Sequence, residues 1–479
     1  MNIPKDFRGL VDLLRRTAKV ILSSDDLIYI VAHIDADGIA AASILAYLLY
    51  TLDKPFIVKF VSQLRRDFLI TFVEEAQPQD VIFCDIGSGQ LDHISKIFTN
   101  VRRVIIFDHH VPKEVHEDFF FKLYHVNPRL YGYDGGKEIS AAGTVFMLAY
   151  VFSRRIPELI KLSKAAIIGA LGDSQDVGQK KSLIGLNKMI VEEGVKAGIV
   201  ETKIDILLQG RETKPLYQAL AETYNPILPG ITNSLEGAVN FLKSIGLQIK
   251  GLDLENTRLS DLSEEQKMLL VEKLIERLMI TYGEKFSIEA IRDMLIGYVY
   301  LFKDEVQGVT RDAREFSTLI NACGKLGYPH IGLALILGDR GEFLNKALSL
   351  YKQYRYVLSD CLNKARKKIV NMGDLTIIDG REFLPEGVTS TVASILANSI
   401  ESGDLILVAS KPHEGFIKIS IRKTRASKLN DIRGLLLKAL EGIEGAEGGG
   451  HEVAAGAYIP DKSFDALISK LVQILGRSK

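Results

Sequence analysis

Leu27-Ile28-Tyr29-Ile30-Val31-Ala32-His33-Ile34-Asp35-Ala36-Asp37-Gly38 is the stretch on which the reading turns. Its first six residues are apolar and suit a strand buried on both faces, as in a parallel sheet covered by helices. The strand ends at His33, and His33, Asp35 and Asp37 stand at i, i+2 and i+4, so in an extended or gently turning segment they project toward one side. Gly38 lets the backbone turn sharply into a helix of small residues, predicted over 38–50. A buried strand has no structural use for three such groups in a row, and isolated buried carboxylates are costly unless paired or metal-bound. Capping of the next helix accounts for one Asp and leaves His33 and the other Asp unexplained.

Working outward, the pattern recurs. A second strand, 81–84, ends at Asp85; a third, 104–107, ends at Asp108-His109-His110; a fourth, 121–126, runs into Asn127-Pro128. A helix starts near Ser140 and continues through 142–152, and another, 165–171, leads into Gly172-Asp173. Short apolar strands alternating with helices predict an α/β fold with a parallel sheet covered on both faces. In open sheets of this kind ligands bind beyond the carboxyl ends of the strands. Read alone, Asp85 before Gly87 and Gly89 is a turn former, and Asp173 or Asp176 caps or solvates a loop. Beside two adjacent histidines at the same sheet edge they become candidate ligands.

The residue types indicate the chemistry. His33, Asp35, Asp37, Asp85, His109 and Asp173 offer carboxylates and imidazoles without thiolate, which suits Mn²⁺ or Mg²⁺. Such a set exceeds the needs of one ion with open positions and suffices for two ions about 3.5–4 Å apart sharing a carboxylate. That is the apparatus of in-line phosphoester hydrolysis, with Asp35 and Asp37 in the catalytic set. His110, if not a ligand, is positioned to contact the phosphate or protonate the leaving oxygen.

From 200 to 350 the chain changes character. Ser263 and Gln266 form a capping box, with Leu269, Leu270, Leu274 and Leu278 at helical spacing after it, and Ser287 caps a helix predicted over 288–300. Residues 342–372 contain neither Gly nor Pro and predict one linker helix of about 45 Å at 1.5 Å per residue, or two shorter helices with an unmarked break. Beyond Gly373, strands 375–378, 405–408 and 416–421 with helices 389–399, 429–440 and 464–475 predict a second, smaller α/β lobe. There Gly448-Gly449-Gly450-His451 offers either an anion nest or a flexible turn. Ser420 and Arg422 end a strand, Arg422 presenting a planar fork suited to phosphate. Lys423, Arg425 and Lys428 extend a basic run that by itself reads as a solvated face. The expected domains are 1–200, carrying the metals; 201–340, a mainly helical inserted region; 341–372, the linker helix; and 373–479, binding substrate.

Composition sets limits. With 60 Lys+Arg against 60 Asp+Glu the formal net charge is zero, so any nucleic-acid surface is local. Cys84, Cys323 and Cys361 are widely separated, which excludes a zinc ribbon or a disulfide framework and suits a reducing cytoplasm. No apolar run is long enough for a membrane span, and charged residues interrupt the N-terminal segment, so neither an anchor nor a signal peptide is expected.

His33-Ile-Asp35-Ala-Asp37-Gly38, Asp85, Asp108-His109-His110 and Asp173 resemble, in order and spacing, the four successive motifs of the DHH phosphoesterase superfamily, and Gly448-Gly449-Gly450-His451 resembles the signature of its partner domain, DHHA1. The length, Ser420-x-Arg422 and Arg311-Asp-Ala-Arg314-Glu-Phe316 resemble the archaeal RecJ-like exonucleases. The resemblance implies metal-dependent hydrolysis of single-stranded DNA or RNA from a 5′ end, in DNA replication or repair, and association with the GINS complex through the helical region. It further implies that His33 and Asp35 bind one ion, Asp37 and His109 the other, with Asp85 bridging and Asp173 joining one of the two. His110 contacts the scissile phosphate, and Ser420, Arg422, Gly449, Gly450 and His451 hold substrate. Smaller relatives acting on nanoRNA, pAp or cyclic dinucleotides, and a replication scaffold, are the competing expectations. The 200–350 segment lacks the OB-type extension of bacterial relatives.

Overall fold

The computed structural model describes residues 4–115, 119–245, 255–283, 286–398, 403–413, 415–424, 427–451 and 453–477. Arg425 of the basic run and Ser399 at the end of a predicted helix lie outside the described residues. The chain divides into two compact units, one of 1–222 with 228–351 and one of 223–227 with 352–479.

In the first unit, β1 (Ile28–His33), β2 (Phe56–Val61), β3 (Asp80–Cys84), β4 (Arg103–Phe107) and β5 (Lys122–Val126) form one sheet in the order β2-β1-β3-β4-β5. Every pairing is parallel. Ile30, Val31, Ile82, Phe83, Ile105 and Ile106 are buried, as expected for strands covered on both faces. The register pairs Ala32 with Cys84, Cys84 with Phe107 and Phe107 with Val126. The next residue along each strand is therefore His33, Asp85, Asp108 or Asn127, and four strands deliver these polar groups to one edge. Because β1 lies between β2 and β3, the strand order reverses beside it, which is the position where open α/β sheets bind ligands.

The helix Ala36–Thr51 starts at that edge and is buried along most of its length against the helices Ala141–Ser153 and Ser163–Gly172. Small residues permit this approach: a Cβ on Gly169 would stand 2.3 Å from the Asp37 carboxylate and 2.6 Å from Ala142. The expected capping box holds, Ser263 and Gln266 exchanging hydrogen bonds at the start of Glu264–Tyr282.

Two expected helices are shorter than their sequences suggest. The helix capped by Ser287 stops at Leu295, and 296–302 form a strand. Isolated, Ile-Gly-Tyr-Val-Tyr-Leu-Phe continues an apolar helix; here its β-branched and aromatic residues pair as β7 (Ile296–Phe302) with β6 (Val200–Ile206). The linker helix spans Glu342–Arg366, and Ile369-Val370-Asn371-Met372 form β8 (Ile369–Met372) against β9 (Leu375–Asp379).

In the second unit β8, β9, β10 (Leu405–Ala409), β11 (Phe416–Lys423), β12 (Glu447–His451) and β13 (Ala454–Pro460) make a mixed sheet in the order β12-β13-β11-β10-β9-β8. The glycine run expected to form a nest or turn is the edge strand β12, antiparallel to β13. Neither β13 nor β2 was apparent from the sequence pattern. Among the described residues no helix is long and apolar enough to cross a membrane.

One buried ionic cluster joins 205–213 to the helix Ala313–Lys325. Arg211, 2% exposed, pairs with Asp205 and lies 3.5 Å from Glu212 and 3.6 Å from Asp312. Glu315 accepts from the Glu212 amide at 3.1 Å and the Thr213 hydroxyl at 2.8 Å. Burial, and then the neighbouring Asp312, push the Glu315 carboxyl up to about 7. A carboxyl whose pKa rises on folding contributes stability that is full below its unfolded value, near 4.5, and is lost as pH climbs through about 7. Thermal melts of Glu315→Gln against wild type are expected to show the variant gaining relative stability as pH rises across that window, by up to about 3 kcal/mol at 1.36 kcal/mol per pKa unit.

Candidate metal centre

The strand edge gathers every ligand type expected there. His33 Nδ1 lies 2.8 Å from Asp35 Oδ2 and 3.3 Å from Asp85 Oδ2. Asp35 is the N-cap of Ala36–Thr51, its other oxygen accepting from the Gly38 amide at 3.1 Å, so the capping role and the approach to His33 use different oxygens of one carboxylate. Asp37 is fully buried in the first turn and accepts from the amides of Ala141, at 2.7 Å, and Ala142, at 3.0 Å. Those amides belong to the first turn of Ala141–Ser153, whose N-cap is Ser140, so Ser140 supports the site by starting the helix that holds Asp37. Asp85 sits at φ 62°, a left-handed conformation that turns its carboxylate back over the strand ends.

His109 is the hub. Its Nδ1 lies 2.5 Å from the Gly135 carbonyl, to which it donates, and its Nε2 lies 3.1 Å from Asp85, 3.1 Å from Asp173 and 3.8 Å from Asp37. With the Nδ1 proton committed, the Nε2 lone pair faces three carboxylates, and only a proton or a cation there makes the arrangement favourable. The titration behaviour reflects the crowding. Burial, followed by the repulsion of Asp85 and Asp173, holds the Asp37 carboxyl well above the usual carboxylate range. Burial and the charge of Asp35 raise Asp85. Burial opposes a proton on His33, but the Asp35 carboxylate outweighs it and pushes the imidazole up to about 10. Asp85 Oδ2 is buried and accepts no hydrogen bond among the described residues.

The donor set therefore fits divalent cations. Asp37, Asp85, His109 and Asp173 bring one atom each within 4.8 Å of one another, and so do His33, Asp35 and Asp85, the two groups sharing Asp85. Hard oxygen donors with a few imidazoles suit Mn²⁺ or Mg²⁺.

Asp108 plays another part. Although buried, it accepts from the amides of Ser88, His109 and His110 and from His110 Nδ1 at 2.7 Å. Burial would raise its carboxyl, but the charge and hydrogen bond of His110, then the charge of His109 and the His110 amide, win and hold it far below the usual range. His110 is 32% exposed at the same edge. Asn127 donates to the His110 carbonyl at 2.8 Å and to Ser88 Oγ at 2.9 Å, and Ser88 Oγ meets His125 Nε2 at 2.8 Å. Asp176, the other acid near the end of Ser163–Gly172, turns away to Arg314 at 2.7 Å.

Gln175 escaped the sequence reading. Fully buried, it donates to the Gly135 carbonyl at 2.9 Å and accepts from Asn187 at 2.7 Å, so it steers the carbonyl that orients His109. The Gly135-Gly136 pair was the available signal: a Cβ on Gly135 would fall 2.0 Å from the His109 carbonyl.

In the second unit the register across three strands aligns Ser420 with Gly456 and Gly449, and Arg422 with Ala454 and His451. Gly450 pairs with Ala455 in the row between. Arg422 donates to Ser394 Oγ at 2.9 Å and Ser420 Oγ at 3.1 Å. It has no carboxylate partner among the described residues, and burial alone pulls its pKa down.

Comparisons with known proteins agree with this architecture. The DHH family N-terminal domain matches 27–170, the DHH-CID domain 208–291 and the DHHA1 domain 375–477. An uncharacterized protein of Methanocaldococcus jannaschii is 29% identical over 467 residues, covering 95% of each chain. CDC45 from Entamoeba histolytica superposes with a TM-score of 0.64 at 12% identity, over 97% of this chain and 98% of its own. RecJ from Thermus thermophilus, solved with Mn²⁺, gives 0.58 at 16% identity over 100% of this chain; this chain spans 56% of that RecJ. A second exonuclease RecJ bound to manganese gives 0.56 at 16% identity, over 100% of this chain and 96% of its own. At such identities these structures share the fold. The chain belongs to the DHH family, combining DHH, DHH-CID and DHHA1 domains in a phosphoesterase fold that it shares with RecJ.

If Gln175 orients His109 through Gly135, Gln175→Met weakens Mn²⁺ binding by about 10–100-fold, as loss of a ligand's supporting hydrogen bond does elsewhere, while the protein stays folded. Titration of free Mn²⁺ by electron paramagnetic resonance, with circular dichroism as control, measures both.

Proposed function

We propose that this protein is a manganese- or magnesium-dependent phosphodiesterase that removes nucleotides from the 5′ end of single-stranded DNA, with RNA a further substrate, in DNA replication or repair. The observation that carries the reading is the convergence of Asp37, Asp85, His109 and Asp173 within 4.8 Å, next to a second group that shares Asp85. In this reading His33 and Asp35 hold one ion, Asp37, His109 and Asp173 the other, and Asp85 both. Bound divalent ions supply an activated water and neutralise charge on the phosphoryl oxygens.

The chain's own groups do the rest. Gly135 and Gln175 keep the His109 proton on Nδ1, so Nε2 always faces the acids. Burial disfavours charge on His110, yet Asp108 overcomes this and raises its pKa, and the imidazole that Asp108 orients is assigned the contact with the phosphate or the leaving oxygen. Asn127 and Ser88 hold that imidazole's backbone and its Asp108 partner in place. Arg422 and Ser420, supported by Ser394, form a charge-assisted donor pair for a substrate phosphate, with Gly449, Gly450 and His451 in the adjoining rows. The same reading extends to association with the GINS complex through 201–340.

A divalent-metal titration on end-labelled DNA and RNA, from dinucleotides to long single strands, tests the proposal. Stepwise release of mononucleotides from the 5′ end of long strands is expected, abolished by Asp37→Ala and by His109→Ala. Hydrolysis confined to dinucleotides would replace this reading with a small-substrate enzyme. Arg422→Lys keeps a charge but loses the planar fork, and is expected to raise KM with a smaller effect on kcat.

A further inference from the structure

Backbone strain in this chain is concentrated near the metal centre. Among the described residues, seven other than glycine have positive φ, and four of them are Asp85, Ser174, Lys180 and Lys181. Asp85 and Ser174 belong to the site or adjoin it. Lys180, at φ 52°, and Lys181, at φ 56°, are consecutive and sit in a tight turn a few residues beyond Asp173, where the Gly178 amide donates to the Ser182 carbonyl at 2.9 Å. Glycine or asparagine would take this conformation at less cost than lysine.

The turn is held from several sides. Arg314, anchored on Asp176 at 2.7 Å, donates to the Lys181 carbonyl at 3.2 Å. The Leu183 amide donates to the Tyr300 hydroxyl at 2.8 Å. Gly297 of β7 packs so closely that a Cβ there would lie 2.5 Å from the Lys180 carbonyl. The surrounding structure thus over-determines the strained turn, a pattern found where strain serves a function. Lys180 is exposed and Lys181 partly so, and neither ammonium has a carboxylate partner among the described residues. One Arg314 guanidinium holds both the Asp176 carboxylate and the Lys181 carbonyl, so the turn folds back against a residue only three positions beyond Asp173.

We infer that the Lys180-Lys181 turn is a phosphate-contacting subsite for a nucleic-acid strand, engaging backbone phosphates beyond the one at the metal centre. The inference rests on the single-strand reading proposed above. In a chain of zero net charge, two unpaired cations held in a costly conformation beside the site supply the local positive surface that such a strand requires.

The test is the affinity of the full-length protein for a labelled long single strand in EDTA, across a salt series, by fluorescence anisotropy. The double variant Lys180→Gly/Lys181→Gly removes both charges and suits the turn, and Lys180→Asn/Lys181→Asn does the same with a second residue at ease in that region. Both are expected to keep the wild-type melting temperature, bind more weakly, and lower the log–log salt slope by about 1.4, the contribution of two phosphates on a single strand. Lys180→Arg/Lys181→Arg is expected to bind like wild type. Unchanged affinity and slope in the glycine and asparagine variants would overturn the subsite while leaving the single-strand reading intact. Failure of the wild type itself to bind a long strand would overturn both.

Discussion

Three carboxylates converge on one imidazole nitrogen, and the rest of the first unit is arranged around that constraint. Asp37, Asp85 and Asp173 surround His109 Nε2, while the ring's other nitrogen is committed to Gly135. Burial, and then the closeness of like charges, holds the Asp37 and Asp85 carboxyls high, and the same carboxylates keep the protons on the histidines. Exchanging those protons for metal ions would relieve the same repulsion, which is why the donor set fits divalent ions.

Several features that look independent serve this one cluster. The parallel register brings His33, Asp85, Asp108 and Asn127 to a common edge, and the reversal of strand order opens space beside β1. The N-terminus of Ala141–Ser153 offers two amides to Asp37, so part of its charge is met by the backbone. Gly169 lets Ser163–Gly172 approach closely enough to bring Asp173 up to His109. Asp108 lies at the same edge yet is saturated by hydrogen bonds, which makes it a support for His110. Neighbouring acids of one motif thus acquire different roles from their hydrogen-bond surroundings.

The second unit uses a simpler principle. Its sheet aligns Ser420 and Arg422 with the glycine strand through β13, with Gly456 and Ala454 as small residues in the intervening positions. Arg422 is half-buried, hydrogen-bonded to neutral groups and without a carboxylate partner among the described residues, which fits the phosphate-binding role proposed for it.

Much of this was legible in the sequence because it depends on local order. Apolar runs ending in His33, Asp85 and Asp108-His109-His110 mark strands and what lies at their ends, and capping residues such as Ser263 and Ser287 mark helix starts by chemistry contained in four residues. What the sequence left undetermined depends on partners distant in the chain. Residues 296–302 are equally apolar as helix or strand, and pairing with β6 decides between them. Gly448-Gly449-Gly450 reads as an anion nest or a flexible turn until β13 supplies the partner that makes it a strand. Gln175 and Asn187 carry no motif, since their importance lies in hydrogen bonds made across the folded site. The sequence by itself determined which chemical groups sit at the strand ends. Tertiary structure alone decided how fully each of those acids is met by donors, because hydrogen-bond satisfaction belongs to the packed molecule and not to the order of its residues.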